Sequence, residues 1–262
     1  MIVFSAIIPH SPLLIPQIGK NNLERLNNTA NAYKKLAKQL NDSKADTILI
    51  ISSDKTVYDN FFTINLNTEY KCNFNEFGNF SINHDWLCNL GLTQNIRLKF
   101  ETSSKLKLIT IDNLNYTFSV PLCLLTKINQ ENNNIKIIPL NISGLSNQEH
   151  YNFGKSIQNI LKSRNERIAI IASGNLSHSL EKDSPAKFSS KAKKFDNKII
   201  EFLSNKKINN ILNLDENLIK EVNESALKQI LILLGVLKNT DYNPKLLSYE
   251  SPFGVGYMTM KM

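Results

Sequence analysis

This chain contains few of the residues that define several common protein classes. Its 262 residues include only three cysteines and no Cys-x-x-Cys pair, which argues against a disulfide framework and a thiolate zinc site. No apolar run approaches the ~18 residues needed to cross a bilayer. The apolar start carries Pro9, His10 and Pro12 and lacks a basic leader, so it predicts a first strand rather than a signal peptide. These absences favour a cytoplasmic globular protein.

Basic residues exceed acidic ones, giving a net charge of +8. Such an excess can attract nucleic acid or anionic substrates. The lysines are scattered, however, and the densest group lies on a predicted amphipathic helix and comprises Lys191, Lys193, Lys194 and Lys198. Aromatic and basic residues are not interleaved as they are in proteins that bind single strands. We therefore predict a solvated basic surface with no nucleic-acid or membrane partner, and the sequence leaves a homo-oligomer open.

Short β-branched runs alternate with segments of helical periodicity. The predicted strands are Ile2–Ile8, Thr47–Ile51, Phe61–Leu66, Lys107–Ile111, Ile135–Leu140, Ile168–Ala172 and Gly256–Met260. The predicted helices are Leu23–Leu40, Asp85–Leu92, a helix opened by Pro121 and running through Ile128, Gln148–Leu161, Phe188–Leu203 and Ala226–Leu237. This alternation predicts an α/β fold, a three-layer α/β/α sandwich with a mostly parallel or mixed central sheet. No repeat or long linker interrupts it, so residues 1–262 are predicted to form a single domain.

Histidine is scarce, and two of the four histidines follow predicted strands. His10 ends the segment IIPH, and His178 lies in ASGNLSHSL. Asp54 lies in the turn after a third strand. Since the carboxyl ends of parallel strands share one edge of a sheet, we expect these side chains to converge. Imidazole and carboxylate are the ligand types that hold ferrous iron on one face, and Glu224, before an apolar helix, is the candidate third ligand.

A structural role is the alternative for each of these residues. His10 suits a turn between prolines, and His178 suits a buried histidine bonded to the backbone. His178 follows a serine, but GNLSH is not the Gly-x-Ser-x-Gly elbow of a hydrolase. Asp54 in SSDK has good turn chemistry. Glu224 is equally suited to the N-terminus of its helix.

The remaining two histidines and the last glycines are predicted to be structural. His84 and His150 lie in helix-like surroundings. Gly254 and Gly256, in PFGVGY, indicate a turn or a close approach of the backbone.

Six segments occur in a recognisable order along the whole chain. They are IIPHSPLLIP, ILIISSDKTVYDNF, YTFSVPLCLLTK, ASGNLSHSL, ESALKQILILLGVL and ESPFGVGYM. Together they resemble the LigB-type class III extradiol ring-cleaving dioxygenases, especially the small stand-alone members related to the Memo proteins. The resemblance implies one α/β domain over residues 1–262, a non-haem Fe(II) site, and cleavage of a small aromatic diol by O2 next to its hydroxyl groups.

Three residues match functional positions of that family. His10 matches the first iron ligand, which follows a proline in the family. His178 matches the histidine that acts as acid and base, and Glu224 matches the carboxylate ligand.

Other positions depart from the family pattern. The usual Ser-Pro-His reads Ser52-Ser53-Asp54, so Asp54 replaces a histidine ligand. The usual Asp-His-Gly reads Asn115-Tyr116-Thr117, so Tyr116 replaces an active-site histidine. Near Glu224, the usual Cys-Gly reads Ser225-Ala226. One histidine and two carboxylates would suit Mn²⁺ or Mg²⁺ as well as Fe(II).

Two main hypotheses follow from this mixture. The first is a ring-cleaving dioxygenase with Fe(II) on His10, Asp54 and Glu224, and with His178 and Tyr116 in catalysis. The second is a catalytically silent, Memo-like binding or interaction protein without a metal. A metalloenzyme that activates water is a third alternative.

Overall fold

The computed structural model describes residues 1–72, 74–79, 81–126 and 135–262. In chain order the elements are β1 (Ile2–Ile8), α1 (Pro16–Gly19), α2 (Asn27–Asp42), β2 (Thr47–Ser52), β3 (Phe62–Asn65), β4 (Glu69–Cys72), β5 (Asp85–Leu87), α3 (Leu90–Lys99), β6 (Leu106–Ile109), β7 (Asn113–Leu114), α4 (Tyr116–Thr126), β8 (Lys136–Asn141), α5 (Asn147–Lys162), β9 (Ile168–Ser173), α6 (Ala192–Ser204), α7 (Ile208–Leu212), α8 (Glu216–Val222), α9 (Leu227–Val236), β10 (Lys245–Glu250) and β11 (Tyr257–Lys261).

The central sheet of the described chain has eight strands in the order β10-β11-β1-β9-β2-β8-β3-β6. Strands β1, β9, β2 and β8 run parallel to one another. Strand β11 is antiparallel to β1, and β3 is antiparallel to β8, so the sheet is mixed. A small second sheet has the order β5-β4-β7. The parallel centre brings the carboxyl ends of β1, β9 and β2 to one edge.

Both faces of the central strands are buried. In β2, Ile48 and Ile50 pack on the side of helices α2 and α4. Leu49 and Ile51, which alternate with them, pack on the side of α5, α6 and α9. A strand buried on both faces reads as a continuous apolar run, which is what TILII shows. The predicted three-layer α/β/α architecture is confirmed.

Two broad exclusions from the sequence also bear on the fold. The three cysteines are buried and none of them forms a disulfide. Within the described ranges, no helix is both long enough and apolar enough to cross a membrane.

Several predicted boundaries were wrong because local pairing overrides periodicity. Asp85–Leu87 is a strand rather than the start of a helix, since Trp86 pairs with Tyr70 of β4. The helix begins at Leu90. It is preceded by Asn89, whose side chain caps it by accepting a hydrogen bond from the Leu92 amide.

Two further helices begin later than predicted. Leu23 lies in a 3-10 segment, and the α-helix begins at Asn27. Phe188 is exposed and precedes helix α6, which begins at Ala192.

Proline 121 lies inside a helix rather than at its start. Helix α4 begins at Tyr116, and the Asn115 side chain accepts a hydrogen bond from the Thr117 amide. The predicted end of this helix at Ile128 lies outside the described residues. An internal proline leaves the carbonyl four residues earlier, here that of Thr117, without its helical donor.

Two glycines set the contact between α5 and α9. A Cβ atom on Gly154 would overlap the Ile232 carbonyl oxygen, and one on Gly235 would overlap the Tyr151 carbonyl oxygen. These two helices therefore pack backbone against backbone, on the face of the sheet opposite α2 and α4.

We predict that Gly154→Ala lowers the free energy of unfolding by about 2 kcal/mol or more, because its methyl group must displace the backbone of α9. Gly91→Ala is the matched control. Gly91 is exposed in α3 with open space around it, so alanine should stabilise by up to about 1 kcal/mol. Urea unfolding of both variants checks this, and equal stability of Gly154→Ala and wild type would contradict the close packing.

Candidate functional site

His10 is held at the end of β1 by contacts from three directions. The Tyr33 hydroxyl of α2 donates to the Pro9 carbonyl just before it. The His10 amide donates to Asn175 Oδ1 at 3.2 Å, and His10 Nδ1 lies 3.2 Å from Ser173 Oγ. The residue is only 4% exposed. Burial, together with the neighbouring His178 imidazole, lowers the pKa of His10 to about 3, so this ring is neutral at neutral pH.

His178 lies in the loop after β9 and is half-buried. Its amide donates to the Val222 carbonyl at 3.0 Å, and its Nδ1 lies 2.7 Å from the Asn223 carbonyl. A carbonyl only accepts, so Nδ1 carries the proton and Nε2 carries the lone pair. Burial lowers the pKa of His178. The ring is therefore a neutral base near His10.

Tyr116 provides an aromatic wall beside His10. The two ring centroids are 5.8 Å apart at an interplanar angle of 89°, an edge-to-face contact. On another side, Phe77 makes a similar contact with Tyr116 at 5.3 Å. Burial, and secondarily the charge of Glu76, raises the pKa of the Tyr116 phenol. Tyr116 therefore remains protonated and can donate a hydrogen bond.

Asp54 lies two residues beyond β2 and is half-buried. Its Oδ1 accepts from the Lys55 amide at 2.6 Å and from Asn115 Nδ2 at 3.3 Å, while its own amide donates to Asn141 Oδ1 at 2.9 Å. These bonds make Asp54 a turn-stabilising residue. It also lines a pocket of about 470 Å³ with Tyr58, Glu76, Ile109, Asn113 and Asn115.

Glu224 stabilises the N-terminus of α9. Its Oε2 accepts from the amides of Ala226 at 2.7 Å and Leu227 at 2.6 Å. These bonds and the charge of Lys228 favour the carboxylate, but burial outweighs them and raises the pKa of Glu224. The neighbouring charge of Asp196 adds to that increase.

Asp196 supports the loop that carries His178, and sequence reasoning missed it. Its Oδ1 accepts from the Ser177 amide at 3.1 Å and from Ser177 Oγ at 2.5 Å, and its Oδ2 accepts from the Tyr249 hydroxyl at 2.7 Å. It is fully buried. The sequence feature that could have revealed Asp196 is its position: it is a carboxylate on the apolar face of α6, one turn before Ile199.

The close approach predicted at the PFGVGY glycines occurs at the same support. Gly254 has φ = +69°, a conformation that favours glycine. A Cβ atom on Gly256 would overlap Asp196 Oδ2. The turn and the close backbone approach are thus both present.

The other two histidines lie apart from these groups. His150, in α5, is fully buried, with its Nδ1 2.9 Å from the Ser146 carbonyl and its Nε2 accepting from the Ser143 amide at 3.3 Å. His84 lies outside any helix and makes an edge contact with Trp86 at 4.6 Å.

A larger pocket of about 640 Å³ opens at the amino end of β1, at the opposite end of that strand from His10. It is lined by Phe4, Gln158, Leu237 and Lys261 among others. Burial lowers the pKa of Lys261 to about 8.

The structure therefore brings together His10, His178 and Tyr116. Glu224 is next to Asn223, which holds His178, and Asp54 is held by Asn115, next to Tyr116. Among the described residues, no three His, Cys, Asp or Glu side chains form a group that could hold a metal ion. The donor groups as arranged do not fit a three-ligand metal centre, and the ligand set His10, Asp54 and Glu224 stays a prediction.

We predict that neutral His10 weakens the fold in acid. Below pH 6.5 the unfolded chain takes up a proton at this residue, whereas the folded chain resists it down to about pH 3. As the pH is lowered from 6.5 to about 3, the contribution of His10 to the free energy of unfolding therefore decreases, by up to about 1.4 kcal/mol per pH unit. In urea unfolding at stepped pH, wild type should lose stability relative to His10→Gln. A difference that stays constant with pH would contradict a depressed pKa.

Three comparisons with known proteins agree on the family and the fold. The family described as the catalytic LigB subunit of aromatic ring-opening dioxygenase matches residues 5–260. Protein CA_C1420 of Clostridium acetobutylicum is 28% identical over 267 residues, which cover 98% of this chain and 56% of that protein. The chain therefore spans about half the length of this curated relative.

A solved structure shares the fold at low sequence identity. It is the uncharacterized protein JW3007 from Escherichia coli K12, with a TM-score of 0.64, 12% identity and 98% of each chain covered. Because the family match extends over almost the whole chain, this protein belongs to the family of the catalytic LigB subunit of aromatic ring-opening dioxygenases.

Proposed function

We propose that this chain binds a small phenol or catechol-type aromatic compound between His10, His178 and Tyr116, and that His178 accepts a hydrogen bond from the bound hydroxyl group. The observation that carries the proposal is the neutral His10 imidazole, with the Tyr116 ring edge-to-face against it and the neutral His178 imidazole nearby. Membership of a family that acts on aromatic rings supports the same class of ligand.

The chemistry of these groups suits a phenol. The lone pair on His178 Nε2 can accept a hydrogen bond from the hydroxyl group, since the Nδ1 proton is held by the Asn223 carbonyl. The Tyr116 hydroxyl can donate to a ligand oxygen, and its ring can pack against the ligand ring. Because both imidazoles are neutral, a hydroxyl group enters the site without meeting a fixed positive charge.

Ring opening is the second candidate, and the family match favours it. Fe(II), or Mn²⁺ or Mg²⁺ in its place, would be held by His10, Asp54 and Glu224, and the metal would supply the chemistry with O2. One oxygen of each carboxylate already accepts two hydrogen bonds from its own surroundings. We therefore propose binding ahead of catalysis, with the chain acting as a catalytically silent member of the fold that resembles the Memo proteins.

Binding is tested by titrating the purified chain with catechol and following the heat of binding. We expect His178→Gln and Tyr116→Phe each to weaken binding by roughly tenfold, the effect of losing about one hydrogen bond. His84→Gln, a histidine outside this group, is the matched control and should bind as wild type does. Absence of binding to any phenol or catechol would overturn the proposal.

The choice between the two candidates is tested by anaerobic reconstitution with Fe(II), followed by metal analysis and O2 uptake in the presence of catechol. We expect little retained iron and no uptake, because the donors do not form a three-ligand group. Stoichiometric iron that is lost in Asp54→Ala and Glu224→Gln, together with a yellow ring-opened product, would establish the dioxygenase instead. Asp215→Ala, at the N-terminus of α8, serves as a carboxylate control.

A further inference from the structure

The internal proline of α4 creates an unusual acceptor at the heart of the site. Residue 121 would donate its amide to the Thr117 carbonyl in a regular helix, but proline has no amide hydrogen. Thr117 is buried. A buried carbonyl left without a donor is costly, so another group must satisfy it.

Two serine hydroxyl groups take the place of that amide. Ser52 Oγ, at the end of β2, donates to the Thr117 carbonyl at 3.1 Å, and Ser173 Oγ, at the end of β9, donates to it at 2.7 Å. Both serines are fully buried. Strands β2 and β9 are neighbours in the sheet, which puts the two hydroxyl groups on the same oxygen.

The shorter of these bonds fixes the proton on His10. Ser173 Oγ has one proton, and the Thr117 carbonyl can only accept it. Towards His10 Nδ1, at 3.2 Å, the same oxygen is therefore the acceptor, so Nδ1 carries the imidazole proton.

We propose that Ser173 is a positioning residue that holds His10 in the Nδ1–H tautomer and so keeps the Nε2 lone pair for a ligand. The ligand class is a hydroxyl donor, whose hydrogen bond needs a lone pair to accept it. His178 is held in the same tautomer by Asn223. Two imidazole lone pairs then match the two adjacent hydroxyl donors of a catechol. The choice of catechol as the ligand rests on the proposed function.

The tautomer can be measured without any ligand, so failure of this proposal is distinguishable from failure of the proposed function. The chain has four histidines, and nitrogen NMR of imidazole-labelled protein separates protonated from unprotonated ring nitrogens. His10→Gln assigns the His10 signals. We expect Nδ1–H at His10 in wild type and a measurable shift towards Nε2–H in Ser173→Ala, where the Ser173 backbone carbonyl, which also accepts from the His10 ring, is kept.

Ser52→Ala is the matched control, because it removes a donor to the same carbonyl and keeps the Ser173 hydroxyl group beside His10. The Ser52 hydroxyl also lies 3.4 Å from the Ser173 carbonyl oxygen, so this variant tests that contact as well. Ser52→Ala should leave the His10 tautomer unchanged. Pro121→Ala tests the same contacts through the Thr117 carbonyl. An alanine amide at position 121 would compete for that carbonyl and free the Ser173 hydroxyl proton. It should shift the tautomer in the same direction as Ser173→Ala, to a smaller extent.

The outcomes separate cleanly. An Nε2–H tautomer in wild type, or an unchanged tautomer in folded Ser173→Ala, would overturn the proposal. If Ser173→Ala does not fold, an unchanged tautomer in Pro121→Ala would do so. A tautomer shift with no binding of catechol by wild type would support Ser173 as a positioning residue while overturning the proposed function.

Discussion

The Thr117 carbonyl oxygen receives two serine hydroxyl groups because Pro121 cannot supply the helical amide. The carboxyl edge of the sheet is organised around this contact. It joins α4 to the ends of β2 and β9, and through Ser173 it extends to His10 at the end of β1. The orientation of His10 is thus linked to the need to satisfy one buried backbone atom.

Burial also sets the charge of the site. It lowers the pKa values of His10 and His178 and raises those of Glu224 and Asp196. Both directions disfavour the charged form. The two neutral imidazoles at this edge of the sheet therefore suit the neutral aromatic compound proposed above better than a strongly ionised one.

All strands of the described central sheet except β10 could be predicted, as could the meeting of His10 with His178, because apolar runs and their carboxyl ends follow directly from the sequence. The strand at Trp86 could not, since a three-residue strand depends on its partner Tyr70 rather than on its own pattern. The role of Ser173 was equally hidden. A serine that ends a buried strand is unremarkable until the position of Pro121 in a helix is known.

The two predicted carboxylates illustrate a different limit. Sequence reasoning left Asp54 and Glu224 open between metal binding and local stabilisation, and the structure shows the local bonds of both. Matching a family position establishes where a side chain lies along the chain. It does not establish where the second oxygen of a carboxylate points, which depends on side-chain packing.

The pairing of β1 has a consequence for how the chain acquires its fold. Ile2 pairs with Ile168, and Ala6 pairs with Lys261, so the strand that carries His10 is flanked by segments far along the sequence. Contacts of such separation form slowly, because the intervening chain must first be closed into large loops. During synthesis, β1 must therefore wait until β9 and β11 have been made before both of its edges are covered.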